Sequence, residues 1–175
     1  MDPRTDQQLV AAINAGEGRA FDVLYYRYRD WVVRLARRFT GNAEDALDVL
    51  QETWTYVYRK FPGFRLTANM TTFLYPVVRN LSLAAVRKRR GNAGDEALLA
   101  VSSPNPPGTN LDDLAAVLRS LPAGQREVVL MRFVDDMSLE EIARALAIPV
   151  GTVKSRLHNA LATLRQDPRT RAYFD

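Results

Sequence analysis

The residues best suited to chemistry form a polar run near the end of the chain, from Thr152 to Asn159. On a helix that turns about 100° per residue, the run presents short hydrogen-bonding side chains on one face and cations on both flanks. Short polar groups can read base edges in a DNA groove, and flanking cations can reach the bordering phosphates. The residues predicted to contact duplex DNA are Thr152, Lys154, Ser155, Arg156, His158 and Asn159.

Two short helices are predicted to position this run. Ser138, with Glu141 three residues later, is typical of a capping box at the start of the first helix. Pro149 lacks an N–H and suits the first position of the second helix. The pattern therefore predicts a helix-turn-helix whose second helix enters the major groove. A helical hairpin with a merely solvated polar face is the alternative.

A second group of residues, between Phe61 and Arg90, combines aromatic rings with cations. Aromatic faces stack on unpaired bases, and a cationic helix end attracts phosphates. If the four cations from Arg87 to Arg90 all met phosphates with the coefficient of duplex DNA, about −0.9 per phosphate, the slope of log affinity against log salt would be about −3.6. The predicted contacts to an unpaired strand are Phe64, Phe73, Tyr75, Arg79, Asn80, Arg87, Lys88 and Arg90. In the alternative interpretation the rings belong to the core and the cations are a solvated helix end.

A third group is a polar stripe on the helix predicted to follow Asn42. Its predicted inward residues are Leu47, Leu50, Trp54 and Val57. An acidic, amide-bearing stripe suits a partly basic helical partner, although a solvated helix face has the same pattern. The residues predicted to bind that partner are Asp45, Asp48, Gln51, Glu52 and Thr55.

Composition argues against most enzyme chemistry. The chain has no cysteine and one histidine, His158, which excludes disulfides, thiolate zinc sites and a His-based metal cluster. We therefore predict a protein that is not an enzyme and has no cofactor and no metal. The N-terminus lacks the pattern of a secretory signal and no apolar run is long enough to insert in a membrane, which predicts a cytoplasmic protein.

The elements fall into two helical domains. Apolar residues recur at helical spacing from Phe21 to Phe39, from Asn42 to Phe61 and from Thr71 or Thr72 to Arg90. Residues 91–110 are rich in Gly, Pro, Ser and Asn, and residues 91–113 carry four acids and no base. The prediction is an all-α chain with domains 1–90 and 111–175 and a flexible acidic linker, 91–110.

The motifs, taken together and in order, resemble a known family. The stretch LRSLPAGQREVVLMRFVDDMSLEEIARALAIPVGTVKSRL resembles region 4 of bacterial sigma factors, especially the extracytoplasmic-function group of the sigma-70 family. FPGFRLTANMTTFLYPVVRNLSLAAVRKRR resembles regions 2.3–2.4, and Asp48, Gln51 and Glu52 match the Asp-x-x-Gln-Glu run of region 2.2. Phe73 stands where Trp is more frequent, Pro76 where Arg is common, and Ala147 where Gly is usual. Ala147 implies a turn that avoids positive φ or tolerates strain.

The resemblance implies a specific function. Region 2 of the family binds the β′ clamp helices of RNA polymerase core and the −10 promoter element. Region 4 binds the β flap and the −35 element, and anti-sigma factors hold such proteins inactive. Two rivals remain: a helix-turn-helix activator of response-regulator type, which needs a receiver domain with alternating strands, and a helical adaptor that binds acidic proteins and no DNA.

Overall fold

The computed structural model describes residues 2–91 and 110–171, and in these ranges the regular structure is entirely helical. The helices are α1 Asp6–Asn14, α2 Gly18–Thr40, α3 Ala43–Tyr58, α4 Met70–Arg90, α5 Asn110–Ser120, α6 Ala123–Phe133, α7 Leu139–Leu146 and α8 Val150–Gln166. The predicted all-α class is thus confirmed. No described helix combines the length and hydrophobicity that a bilayer crossing demands.

The chain divides into two compact units between Leu98 and Leu99. This division falls inside the predicted linker, of which residues 92–109 lie outside the described residues. The predicted domain limits at 90 and 111 therefore stay predictions. Each unit is described below by itself.

In the first unit, α2, α3 and α4 pack against one another. The helical spacing of apolar residues predicted one buried face on α2, and its residues Leu24, Val32, Leu35 and Phe39 are buried. Burying one such side chain contributes roughly 1.5–3 kcal/mol. Gly41 ends α2 in the left-handed region at φ 64°, and Asn42 then caps α3, its Oδ1 accepting from the Glu44 N–H at 2.7 Å. Both tryptophans of the chain, Trp31 and Trp54, lie in this unit.

The short helix α1, which the sequence pattern did not predict, is attached firmly to α2. Thr5 and Gln8 form a capping box at its start, and Leu9 and Val10 are buried. Asp6 then accepts hydrogen bonds from two α2 side chains: Arg27 Nη1 at 2.7 Å and the Tyr28 hydroxyl. Burial, followed by the hydrogen bond to Asp6, raises the pKa of Tyr28, so the hydroxyl stays a donor.

The second unit holds the predicted helix-turn-helix. Helix α6 packs on α7 and α8, and one apolar cluster joins α5, α6 and α8 through Val117, Leu121, Val129, Ala160 and Leu164. This packing fixes the buried side of α8 and leaves its other side to solvent.

The turn between α7 and α8 has the geometry that a helix-turn-helix requires. Ser138 Oγ accepts from the Glu141 N–H at 3.2 Å and Glu141 Oε2 accepts from the Ser138 N–H at 2.7 Å, so the capping box is as predicted. Ala147 adopts φ 54° in the left-handed region, so of the two alternatives for this turn, strain is the correct one. Pro149 is the N-cap of α8, one residue earlier than its predicted position.

Candidate nucleic-acid and polymerase interfaces

The outer face of α8 carries the predicted duplex contacts. Lys154, Ser155, His158 and Asn159 are exposed and Thr152 is half-buried, while Val153, Ala160 and Leu164 face the core. Ser155 Oγ donates to the Thr152 carbonyl at 3.0 Å. The hydroxyl must rotate away from this carbonyl if it is to donate to a base edge.

Arg156 is oriented differently from the rest of that run. It is half-buried, and its guanidinium lies so close to α6 that a Cβ at Gly124 would meet Nη1 at 3.1 Å. Gly124 therefore leaves room for this cation against the first turn of α6. Arg156 packs inside the unit, and the sequence did not predict that contact.

Aromatic side chains cluster where the α3–α4 loop, residues 59–69, meets α4. The Phe64 ring lies 4.8 Å from Phe73 and 5.4 Å from Phe61, between ring centroids. Tyr56 stacks on Phe73 at 6.4 Å, and Lys60 Nζ lies 4.6 Å above the Tyr56 ring. Phe61, Phe64 and Phe73 are half-buried and Tyr56 is 39% exposed, so this cluster presents ring surface to solvent.

Tyr75 does not belong to that surface, and its predicted contact with a melted strand is wrong for this conformation. The residue is fully buried, and its ring lies 6.2 Å from Phe39, edge to face. The face of α4 that packs inward carries Met70, Leu74, Tyr75 and Val78, whereas Phe73 lies on the neighbouring side. The residue type suits stacking, but the helix register places Tyr75 in the core.

The cations at the end of α4 divide into two kinds. Arg89 forms an ion pair with Asp45 of α3, and its Nη2 donates to the Thr40 carbonyl at 3.0 Å. It joins three helices, so it is committed to the fold. Arg87, Lys88 and Arg90 are exposed, as is Asn80, and Arg79 is half-buried. At most three of the four cations are thus placed for phosphates.

The polar stripe of α3 is exposed at Asp48, Gln51, Glu52 and Thr55, hereafter the α3 stripe. Asp45, predicted with this group, is half-buried and paired with Arg89, so it contributes to helix packing instead. The prediction that Leu47 faces inward is wrong, because 57% of it is exposed beside the stripe.

Next to the α3 stripe, a groove of about 480 Å³ opens between α2 and α3. Its walls include Gln51 and Thr55 of the stripe and a set of aromatic residues: Phe21, Tyr25, Tyr26, Trp54 and Tyr58. Tyr26 and Tyr58 are 66% and 65% exposed. Sequence reasoning missed this groove. The spacing of Tyr25 and Tyr26, about one helical turn after Phe21, places three aromatic rings close together and could have indicated it.

Comparison with known proteins identifies the two units. The family described as Sigma-70 region 2 matches residues 24–91, and Sigma-70, region 4 matches residues 111–164. The chain belongs to the sigma-70 family, as an extracytoplasmic-function sigma factor. The two matches occur in the family's order and cover the α8 face, the aromatic cluster, the end of α4 and the α3 stripe.

The sigma factor relatives span nearly the full chain. The ECF RNA polymerase sigma factor SigW of Bacillus subtilis is 29% identical, covering 91% of this chain and 95% of SigW. The RNA polymerase sigma-H factor of Pseudomonas aeruginosa is 33% identical, with 89% of each protein covered. The solved structure of CnrH in complex with the cytosolic domain of CnrY superposes with a TM-score of 0.67 at 25% identity, covering 90% of this chain and 93% of CnrH.

As a sigma factor, the protein directs promoter-specific transcription initiation, with RNA polymerase core and promoter DNA as its partners. The response-regulator alternative is not favoured, because the first unit is a helical region 2 rather than a receiver with strands. Sigma factors are not enzymes. The region 2 match includes Leu47 but begins after α1, so α1 lies outside the matched region.

Proposed function

We propose that the α8 face reads the −35 element as duplex DNA in the major groove. The observation that carries the proposal is that Lys154, Ser155, His158 and Asn159 are exposed together while Val153 and its neighbours are buried behind them. The core therefore fixes the face of the helix that DNA can approach. Phosphate contacts from Lys154 set the register, and the short polar groups discriminate bases.

The test is binding of the holoenzyme to promoters that it selects from a random duplex pool. Ser155→Ala and Asn159→Ala are expected to relax the preference for individual −35 base pairs, since each good contact discriminates by about 1–3 kcal/mol. Lys154→Gln is expected to weaken all sequences alike. The matched control is Arg119→Gln, an exposed cation on α5. Unchanged −35 preferences in both alanine variants would contradict the proposal.

For the −10 element, we propose that Phe64 and Phe73 hold unpaired bases while Asn80, Lys88 and Arg90 contact the same strand. The support is the half-buried ring cluster beside an exposed amide and an exposed cationic helix end. Stacking of one base on an aromatic ring is worth roughly 1–3 kcal/mol. Phe73→Ala is therefore expected to reduce binding to a single-stranded −10 segment by at least about fivefold, and Phe73→Trp to preserve it.

We infer that the α3 stripe, with Leu47 at its edge, binds the β′ clamp helices. The exposed carboxylates Asp48 and Glu52 suit a basic helix, and the neighbouring aromatic groove can receive apolar side chains. Asp48→Asn with Glu52→Gln is expected to lower core affinity and its salt dependence, whereas Glu44→Gln, at the exposed start of α3, leaves both unchanged. Equal losses in the two variants would show a general charge effect instead of a docking site.

On the second unit, we propose that Phe133 and Val134 contact the β flap. They are 61% and 65% exposed where α6 ends, away from the α8 face in sequence. Phe133→Ser is expected to weaken transcription from promoters that depend on the −35 element and to leave the binding of the first unit to core unchanged.

We propose further that the protein acts in the cytoplasm, where core polymerase and promoters are, and that an anti-sigma factor masks it. CnrH, similar over 90% of this chain, is held by the cytosolic domain of CnrY. The exposed α3 stripe and Leu47 would be natural targets for such a partner. Pull-down with tagged chain, in the presence and absence of competing core, tests whether a partner and core exclude each other.

A further inference from the structure

The last residue of α1, Asn14, reaches across the first unit to the α3–α4 loop. Its Nδ2 donates to the Phe64 carbonyl at 2.8 Å, and its Oδ1 accepts from the Gly63 N–H at 2.7 Å. One half-buried carboxamide thus satisfies two consecutive backbone groups of the loop, 49 and 50 residues away in sequence. A carboxamide is the side chain that offers a donor and an acceptor side by side.

The helix that carries Asn14 is held against α2. Its start is closed by the Thr5–Gln8 capping box, and its Asp6 is bound by Arg27 and Tyr28 of α2. Arg4 Nη1 also pairs with Glu17 at 2.9 Å, which connects the segment before α1 to the residue that precedes α2. Arg27 and Tyr28 hold the start of α1 on α2, and burial of Leu9 and Val10 holds its middle, so Asn14 extends to the loop from a supported helix.

The loop that receives these bonds has no helix or strand between residues 59 and 69. Gly63 adopts φ 100°, a conformation that other residues rarely enter, so the backbone turns sharply at the point where Asn14 binds. The next residue, Phe64, packs its ring between Phe61 and Phe73. By fixing the carbonyl of Phe64, Asn14 limits where this ring can lie.

We propose that Asn14 is a positioning residue for −10 recognition: it holds the α3–α4 loop so that Phe64 stays against Phe73 with a ring face open to an unpaired base. The inference rests on the proposed −10 role of Phe64 and Phe73. It extends recognition to α1, which precedes the matched region 2. Asn14 touches no DNA in this scheme; it acts through Phe64.

The experiment uses the full chain in holoenzyme with bacterial core. The wild-type holoenzyme first selects an upstream duplex from a random pool. The probes are then forked DNAs that carry this duplex and a single-stranded overhang, either the preferred −10 sequence or a scrambled one. The measured quantity is the dissociation constant for the scrambled overhang divided by that for the preferred overhang, hereafter the −10 ratio. Affinity for core and for the upstream duplex is measured in parallel.

Two variants remove the bonds in different ways. Asn14→Leu removes both, and Asn14→Asp keeps the acceptor for Gly63 but places a carboxylate against the Phe64 carbonyl. Because each hydrogen bond contributes modestly, the −10 ratio is expected to fall by about tenfold in Asn14→Leu and by at least as much in Asn14→Asp. Core and upstream affinities stay within about twofold. Gln7→Leu, an exposed amide on the same helix, is the matched control and is expected to change nothing.

A double-mutant cycle with Phe64→Ala separates positioning from general stabilisation. If Asn14 acts through Phe64, then Asn14→Leu in the Phe64→Ala background lowers the ratio by less than about twofold. Additive losses would overturn the inference, as would parallel losses of core affinity, which indicate a purely structural role. Unchanged ratios in both Asn14 variants, with a loss in Phe64→Ala, would overturn the inference alone. No loss in Phe64→Ala would overturn the −10 assignment itself, and the inference with it.

Discussion

The end of α4 gives a sharp test, because adjacent cations of the same charge have different surroundings. Lys88 is exposed, whereas Arg89 is paired with Asp45 and bonded to the Thr40 carbonyl. We expect Lys88→Gln to weaken DNA binding without destabilising the protein. Arg89→Gln should do the reverse. Glutamine keeps helix propensity and most of the side-chain length, so the two changes are matched.

The magnitudes follow from the two environments. Each phosphate contact on a single strand contributes about 0.7 to the slope of log affinity against log salt. Lys88→Gln should therefore flatten the slope by about 0.7, and Arg90→Gln by a similar amount. The Asp45 side chain is only 21% exposed, so losing its charged partner and the bond to Thr40 should lower the free energy of unfolding by about 1–2 kcal/mol.

The assay is binding of holoenzyme to forked DNA between roughly 50 and 200 mM salt, together with denaturant unfolding of the free chain. If Arg89→Gln flattened the salt slope as much as Lys88→Gln while leaving stability unchanged, the division of these cations into two kinds would be refuted. Asp45→Asn provides the complementary check, since it should reproduce the part of the stability loss that comes from the ion pair and leave the salt slope unchanged.

Three further outcomes are expected. Ala147→Gly should raise the free energy of unfolding by up to about 1 kcal/mol, because the strain relieved in the left-handed conformation exceeds the cost of the entropy that glycine adds to the unfolded chain. Calorimetry measures this change, and a destabilised variant would contradict the strained turn. Tyr75→Ala should cost about 3–5 kcal/mol of stability, by analogy with other buried aromatics, whereas a stable variant with lost −10 binding would restore its predicted role. Leu47→Ser should leave the melting temperature unchanged and reduce core affinity by up to about tenfold, measured by fluorescence anisotropy; an unchanged affinity would remove Leu47 from the polymerase interface.

Features that depend on neighbouring residues in the sequence were predicted reliably. The Ser138–Glu141 capping box and the polar face of α8 that carries Ser155 depend on residues within two turns of one another, and the structure has the capping box as predicted and Ser155 exposed. The start of α3 at Asn42 follows from the same kind of local hydrogen bonding. Such features are decided by helix geometry, which neighbouring residues already specify.

Features that depend on packing between helices were not predicted reliably from the sequence. Leu47 was assigned to the wrong face of α3, and Tyr75 was assigned to a DNA contact although it packs against Phe39, because the rotation of each helix against its neighbours decides which positions are buried. Arg89 and Asn14 bind groups 44 to 50 residues away, and no local signal marks such contacts. Helix α1 is nine residues long and depends for stability on α2, so its periodicity alone was too weak to detect.

Both tryptophans of the chain lie in α2 and α3, so intrinsic tryptophan fluorescence comes from the first unit alone. Trp54 lies 5.3 Å from Tyr25 and 5.6 Å from Phe21, so its emission reports the integrity of the first unit, while the region 4 unit contributes no indole signal. Tryptophan emission recorded in a melt would therefore follow the first unit alone, while far-ultraviolet dichroism would follow the helices of both units. Coinciding midpoints would show that the units unfold together, and separate midpoints that each melts alone.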